Sequence, residues 1–212
     1  MAAQDVLHQI RFYNMVSNHL WFKGSAGYMF ETIVLAWLCA NSESSRTPAQ
    51  SASPQLTIPM CQGCCMLSSK EQHDLGDLND RETPFCVIPV SKAFPSVDAM
   101  IITDNHIITI QVTVASKHSV KSTGFLQIVN KFPKGFQMFR KWCHVFVTDR
   151  AKNAASLLTT WTERDLELDG DINIPIYSAV LDVNDFCRIQ SEEERKESWV
   201  CGSRLYVLIE TD

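Results

Sequence analysis

The sequence predicts an α/β domain in which a mixed β-sheet is flanked by helices. Three observations predict this class. Residues 26–41 have apolar positions at helical spacing, two β-rich runs follow at 97–103 and 107–115, and the sequence then favours a helix at 124–132 and a strand at 142–148. A helix, then strands, then a helix and a further strand is the order of a layered sheet rather than of a helical bundle.

Length and composition bound the class of protein. A chain of 212 residues is long enough for one domain with its own core and too short for two large ones. The longest apolar run, residues 28–40, is interrupted by Glu31, and the first residues lack the basic and apolar regions of a secretory signal. We therefore expect an intracellular protein with no membrane partner, whose eight cysteines are mostly reduced thiols.

The first region, residues 1–40, is predicted to form two helices. Residues 1–23 have apolar side chains on one side, and Gly24 and Ser25 end that helix and cap the next. Glu31 is the only acid of the second helix, and nearly all of its neighbours are apolar. A carboxylate in such surroundings needs a polar partner or must point to solvent. Both alternatives remain open from the sequence.

The second region, residues 41–82, is rich in Ser, Pro and Asp and reads as an insertion or mobile loop with a short structured interruption. It contains Cys61, Cys64 and Cys65. Two thiolates three residues apart can begin a zinc site, but the second pair that would complete one is missing. Free thiols are therefore favoured over a structural zinc ion.

The two β-rich runs predict a hairpin joined at Asp104, Asn105 and His106, which is a turn sequence. Alternation places Ile108, Ile110, Val112 and Val114 on one face and Thr109, Gln111 and Thr113 on the other. Asp98 near the start of the hairpin and Gln111 near its end could share a small site for a hard divalent cation. In the ordinary alternative Asp98 caps a turn and Gln111 is an exposed strand residue.

The third region, residues 83–212, is predicted to hold the sheet. After the hairpin we expect a helix at residues 124–132 and 137–142, interrupted between the two parts, and a buried strand at 142–148. An acidic loop is expected at 160–171, and further strands at 174–183 and 204–210.

The net charge of −5 hides an asymmetry. Residues 113–152 carry eight basic side chains against one acid, Asp149, so this segment has a charge of +7 and the rest of the chain −12. Such a split is expected for a local phosphate-binding surface on an acidic domain. A solvated basic helix face would give the same pattern.

Three stretches together resemble a known family. They are AGYMFE at residues 26–31, FPSVDAMII at 94–102 and ITIQVTVASKHSVKSTGF at 108–125. They are similar to the nuclease-like domain of Crinkler effectors and retrotransposon hot spot proteins, which has the PD-(D/E)XK, or restriction-endonuclease-like, fold. The resemblance covers residues 26 to about 148 and implies a core of α-β-β-β-α-β order.

The resemblance implies metal-dependent hydrolysis of phosphodiester bonds, with Mg²⁺ or Mn²⁺ as cofactor, DNA rather than RNA as substrate, and a nuclear site of action. It implies that Glu31 orients a metal-bound water and that Asp98 is the main metal ligand. Gln111 would contribute its amide oxygen and Val112 its backbone carbonyl. A cation bound there would polarise the phosphoryl oxygen and lower the pKa of the attacking water.

The sequence departs from the family pattern at two positions, because Gln111 replaces the usual acid and Thr113 the usual lysine. Lys117 or Lys121 could take the role of the missing lysine, and His118 could act as acid or base. With Lys131 and Lys134, the two lysines could instead contact phosphates or lie in solvent. The alternative function is a catalytically degenerate module that binds nucleic acid or a host protein.

Overall fold

The computed structural model describes residues 12–13, 23–39, 58–59, 61, 63–67, 82–89, 97–118, 122–130, 132, 140–161, 166–168, 172–181 and 206–208. Its helices are α1 (Lys23–Cys39), α2 (Ser122–Val129) and α3 (Ala151–Trp161). Its strands are β1 (Cys64–Leu67), β2 (Phe85–Pro89), β3 (Ala99–Ile102), β4 (His106–Val112), β5 (Lys141–Thr148), β6 (Leu166–Leu168), β7 (Ile172–Ile174), β8 (Ile176–Val180) and β9 (Tyr206–Leu208).

Seven of these strands form one mixed sheet in the order β1-β2-β3-β4-β5-β8-β9. β2, β3 and β4 are an antiparallel meander, and β5 and β8 follow parallel to β4. Parallel neighbours require crossover connections, and α2 and α3 lie in these connections. The predicted α/β class, with a mixed sheet flanked by helices, is confirmed.

Both faces of the sheet are buried. On one face, Phe30, Ile33 and Val34 of α1 pack with a set of strand residues, Ala99, Ile101, Ile108, Ile110, Val112, Cys143, Val145 and Val147. On the other face, Phe125, Ile128 and Val129 of α2 pack with Met100, Ile102, Ile107 and Trp142. Side chains alternate along β4 between these two cores rather than between a core and solvent. Gln111, on the face opposite Ile110, is only 5% exposed, so this face is also covered. Gln111 is not the exposed strand residue of the ordinary alternative.

The hairpin turn is shorter than predicted because His106 belongs to β4, where it pairs with Lys141. The hydroxyl oxygen of Thr103 accepts a hydrogen bond of 2.9 Å from the backbone N–H of His106. The backbone N–H of Thr103 also donates to the carbonyl of His106, at 2.9 Å. These bonds close the turn at residues 103–105, so the local polar side chain sets the boundary.

Two sequence predictions about elements are wrong, and the structure adds β1, in the region where a short structured interruption was expected, and α3, for which no element was predicted. β1, within the predicted mobile region 41–82, is a sheet strand parallel to β2. Residues 141–142 are strand rather than helix, because Lys141 and Trp142 pair with β4. Residues 151–161 form α3, and residues 166–168 of the predicted acidic loop pair with β7. Most of regions 1–22, 41–81 and 182–205 lies outside the described residues. No helix in the described ranges has the length and apolar character needed to cross a membrane.

Candidate functional site

The candidate site lies at the edge of the sheet where the parallel strands β4, β5 and β8 all end. β3 runs antiparallel to β4, so Asp98, just before β3, lies at the same edge. In open α/β sheets, ligands bind outside the carboxyl ends of the parallel strands. The directions of the strands therefore place residue 98 and residues 111–118 at the same edge of the sheet.

Asp98 is fastened to the end of β4. Its backbone N–H donates to the carbonyl of Ile110 at 2.8 Å, and its Oδ2 atom accepts a bond of 2.7 Å from the N–H of Val112. These two bonds lie on either side of Gln111. Burial raises the pKa of Asp98, and the bond from Val112 offsets part of that rise. A bound cation would therefore favour the ionised form of this carboxyl.

Gln111 is the second candidate ligand. Its Oε1 atom is buried and has no hydrogen-bond partner among the described residues. Leaving such a carbonyl unpaired costs about 1–3 kcal/mol. Carboxylate and amide oxygens suit Mg²⁺ or Mn²⁺, so the residues present fit a hard cation. Within the described ranges no three His, Cys, Asp or Glu side chains are grouped to hold a metal ion, so Gln111 or a backbone oxygen such as that of Val112 would have to complete the ligand set.

Thr113, at the position where the resemblance leads us to expect a lysine, is 8% exposed and neutral. Its N–H donates to the carbonyl of Val147 at 2.9 Å, and its hydroxyl oxygen accepts a bond of 3.1 Å from the N–H of Ala115. The side chain therefore stabilises the bend that follows β4. No charged group enters the site from this position.

The loop after β4 carries Lys117 and His118. Lys117 is exposed, whereas His118 is half-buried with its ring 6.4 Å from that of Phe146. Phe146 pairs with Gln111 across β4 and β5. The structure thus brings His118 over the strand pair that holds Gln111 and leaves Lys117 at the surface. Lys121, Lys131 and Lys134 lie outside the described residues.

Glu31 is half-buried on α1, which packs against the face of the sheet opposite to Gln111. A Cβ atom on Gly27, one turn earlier, would lie 3.7 Å from Val114. This part of α1 is therefore beside the carboxyl end of β4. The Glu31 carboxylate would have to approach Asp98 around that edge rather than across the face that holds Gln111.

A set of buried polar side chains lies on the α2 side of the sheet, and we call it the polar face. The sequence alone did not predict it. In register, Thr109 pairs with His144, and Phe146 pairs with both Gln111 and Ser178. Strand alternation adds Thr113 and Thr148 to the same side. All buried polar residues in the described ranges belong to this face, namely Thr109, Gln111, Thr113, His144, Thr148 and Ser178.

His144 is the centre of the polar face. It is fully buried, its ring meets those of Phe125 and Phe146 edge-on at 5.0 and 4.8 Å, and burial lowers its pKa to about 3, helped by His118. The alternation of His144, Phe146 and Thr148 was visible in the sequence. Their pairing with Thr109 and Gln111 was not, because a crossover joins the two strands.

A second missed feature braces the loop after β4, and we call it the Asp149 brace. Asp149 Oδ2 accepts from the hydroxyl of Tyr13 at 2.8 Å and lies 3.2 Å from Arg150 Nε. The Nδ2 atom of Asn153 donates to Asp149 Oδ1 at 3.1 Å and to the carbonyl of Val114 at 3.0 Å. Burial and the bond to Asp149 raise the pKa of Tyr13.

The three cysteines of the disfavoured zinc site do not share one side of a strand. Cys61 is buried in the core beneath α1, while Cys64 and Cys65 are consecutive in β1 and therefore point to opposite faces. The sequence prediction that zinc is disfavoured here stays a prediction.

Comparison with family models, with curated proteins and with solved structures finds no match for this chain.

Proposed function

We propose that the chain has the restriction-endonuclease-like fold. The support is the order of α1, the meander β2-β3-β4, the crossover helix α2 and the parallel strand β5. This is the α-β-β-β-α-β order that the resemblance implies. β1 adds a strand at one side of that core, and β8 and β9 extend it at the other.

On this fold we propose metal-dependent hydrolysis of phosphodiester bonds in nucleic acid, with DNA favoured over RNA. The observation that carries the proposal is the Asp98 carboxylate, which accepts from the N–H of Val112, next in the chain to Gln111, whose side-chain oxygen is buried and has no hydrogen-bond partner among the described residues. Asp98 and Gln111 would hold Mg²⁺ or Mn²⁺. When bound, the cation supplies charge to polarise a phosphoryl oxygen and to lower the pKa of a water.

The remaining roles belong to the loop residues. Lys117 is exposed at the edge, and so are Arg150, which follows β5 and also pairs with Asp149, and Lys152 in the first turn of α3. Their positive charges would bind the phosphates on either side of the scissile bond. The imidazole of His118 lies 6.4 Å from the ring of Phe146, which pairs with Gln111, so it would accept or donate the proton of the reaction.

The test compares wild type with Asp98→Asn on supercoiled plasmid in Mg²⁺ and in Mn²⁺. Asparagine keeps an oxygen to accept from Val112 but removes the charge, so folding is preserved while cation binding is lost. Asp104→Asn is the matched control, because the exposed Asp104 carboxylate also accepts a hydrogen bond, from the side-chain hydroxyl of Thr83. We expect nicking by wild type and Asp104→Asn alone. Equal nicking by Asp98→Asn would overturn the site.

A second candidate, nucleic-acid or host-protein binding without cleavage, is favoured by one observation. Thr113 is buried and neutral where the family has a lysine. This function predicts DNA binding with a steep dependence on salt and no cleavage in any divalent cation. Lys117→Ala with Lys121→Ala, Lys131→Ala and Lys134→Ala should then weaken binding. Unchanged affinity in that variant would exclude a nucleic-acid surface in this segment.

A further inference from the structure

We infer that the polar face holds an ordered water molecule between His144 and Ser178. Both residues are fully buried, and His144 Nε2 and Ser178 Oγ have no hydrogen-bond partner among the described residues. Buried polar atoms in native proteins are almost always paired, with protein or with water. The inference stands independently of the proposed hydrolysis.

The contacts of Thr109 fix the tautomer of His144. Thr109 Oγ1 lies 3.0 Å from the carbonyl oxygen of Cys143 and 3.0 Å from His144 Nδ1. A hydroxyl has one proton and a carbonyl oxygen can only accept, so Thr109 donates to Cys143. His144 must therefore donate its Nδ1–H to Thr109. A neutral imidazole has one N–H, which leaves Nε2 as a bare acceptor.

The register places Ser178 within reach of one bridging molecule but not of Nε2 itself. His144 pairs with Ile176, and Ser178 is two residues further along β8 on the same side. Neighbouring strands lie about 4.8 Å apart and rise about 3.3 Å per residue, so two such positions are roughly 8 Å apart at the backbone. No direct bond joins the hydroxyl of Ser178 to the ring in the described structure. A polar pair separated by more than one hydrogen bond is the usual setting of a bridging water.

The hydrogen-bond roles balance for water. One O–H of the water donates to His144 Nε2, and the water oxygen accepts the proton of the Ser178 hydroxyl. The edge-on rings of Phe125 and Phe146 beside His144 are themselves fully buried and keep bulk solvent away. The water is thus internal and slow to exchange.

Long-range ¹H–¹⁵N spectra of the imidazoles, with water-selective nuclear Overhauser spectra, test the inference on the wild-type chain. We expect Nδ1 of His144 to be protonated, Nε2 to be an unprotonated acceptor, and the ring proton beside Nε2 to show a cross-peak to a long-lived water. A protonated Nε2, or the absence of that cross-peak, would overturn the inference.

A stability measurement provides an independent test. If the water is present, Ser178→Ala removes one of its partners, and we expect Tm to fall by about 2–4 °C. If the site is dry, the same substitution removes an unpaired polar group and Tm rises, which contradicts the inference. Ser116→Ala is the control, because Ser116 is exposed in the loop after β4.

Discussion

The Oδ2 atom of Asp98 accepts a hydrogen bond of 2.7 Å from the backbone N–H of Val112, the last residue of β4. A side chain here completes the backbone pairing of two strands, and the same atom belongs to the carboxylate proposed to hold a cation. Fold and site thus depend on one contact. The two roles can be separated, because the structural role needs only an acceptor whereas the cation needs a charge.

The first prediction separates these roles by stability. Asp98→Asn keeps the acceptor and removes a partly buried charge, so its free energy of unfolding at pH 7 should equal or exceed that of wild type. Asp98→Ala leaves the N–H of Val112 unpaired and should be about 1–2 kcal/mol less stable. Urea denaturation checks both. An Asp98→Asn variant as unstable as Asp98→Ala would mean that the charge itself stabilises the fold.

The raised pKa of Asp98 determines whether stability rises or falls with pH. Because burial raises the pKa of Asp98, the folded chain holds this proton more tightly than the unfolded chain does. The penalty for the ionised carboxyl is absent below the ordinary pKa and complete above the raised one. Wild type should therefore lose stability relative to Asp98→Asn as the pH rises through that interval. Mg²⁺ should restore the loss in wild type only, by binding the folded state.

The second prediction concerns acid. The pKa of His144 is lowered to about 3 in the folded chain, so the unfolded chain takes up a proton below about pH 6.5 and the folded chain does not. The contribution of neutral His144 to stability is complete above that pH. It is lost on acidification towards pH 3, at up to about 1.4 kcal/mol per pH unit.

His144→Asn isolates this effect, since its amide can still donate to Thr109 but cannot titrate. The stability difference between wild type and this variant should shrink as the pH falls from 7 to 4, measured by urea denaturation. His106→Asn, at the half-buried start of β4, is the control, because it removes an imidazole that strand alternation places off the polar face. Parallel curves for His144→Asn would show that folding does not lower the pKa of His144.

Local sequence patterns predicted the elements that local physics determines. The apolar spacing of α1, the turn at Asp104 and Asn105 and the alternation of β4 all depend on near neighbours. β1 was missed because four residues, Cys64–Leu67, carry too short a pattern and gain their structure by pairing with β2. α3 was missed because its large apolar residues, Leu157, Leu158 and Trp161, all lie in its second half.

The candidate site divides in the same way. Asp98 and Gln111 could be predicted as a pair because one hairpin joins them, and local sequence patterns predict that hairpin. The contact of Thr109 with His144 joins residues 35 positions apart in the chain. It exists only because α2 returns the chain parallel to β4, and no local pattern specifies that register. The Asp149 brace, which joins Tyr13 to residues 114 and 153, was beyond sequence reading for the same reason.

The third prediction concerns Gly27 in α1. Glycine in the middle of a helix is about 0.5–1 kcal/mol less favourable than alanine. The added Cβ would lie 3.7 Å from a methyl of Val114, which is ordinary contact. Gly27→Ala should therefore raise the free energy of unfolding by about 0.5–1 kcal/mol. Gly27→Leu is the counterpart, because its larger side chain meets Val114 and should lower stability. A destabilised Gly27→Ala would show that α1 and the end of β4 are closer than described.

The fourth prediction concerns the Asp149 brace. Asn153→Ala removes both bonds of the Nδ2 atom, to Asp149 and to the carbonyl of Val114, and should cost about 1–3 kcal/mol. Residues 115–118, which carry Lys117 and His118, should exchange their amide hydrogens faster as the loop loses its anchor. Hydrogen exchange read by mass spectrometry measures this.

Asn130→Ala serves as the control for that measurement, since Asn130 is exposed beside α2 and its backbone bond to Leu126 does not involve the side chain. Tyr13→Phe tests the other end of the brace, because it removes the hydroxyl that donates to Asp149 and leaves Asn153 in place. We expect Tyr13→Phe to lower stability but to leave hydrogen exchange at residues 115–118 unchanged, whereas Asn153→Ala accelerates that exchange. This pattern would show that the side-chain amide of Asn153 holds the loop. Equal exchange in all variants would mean that the loop is held by Thr113 and its bond to Val147 instead.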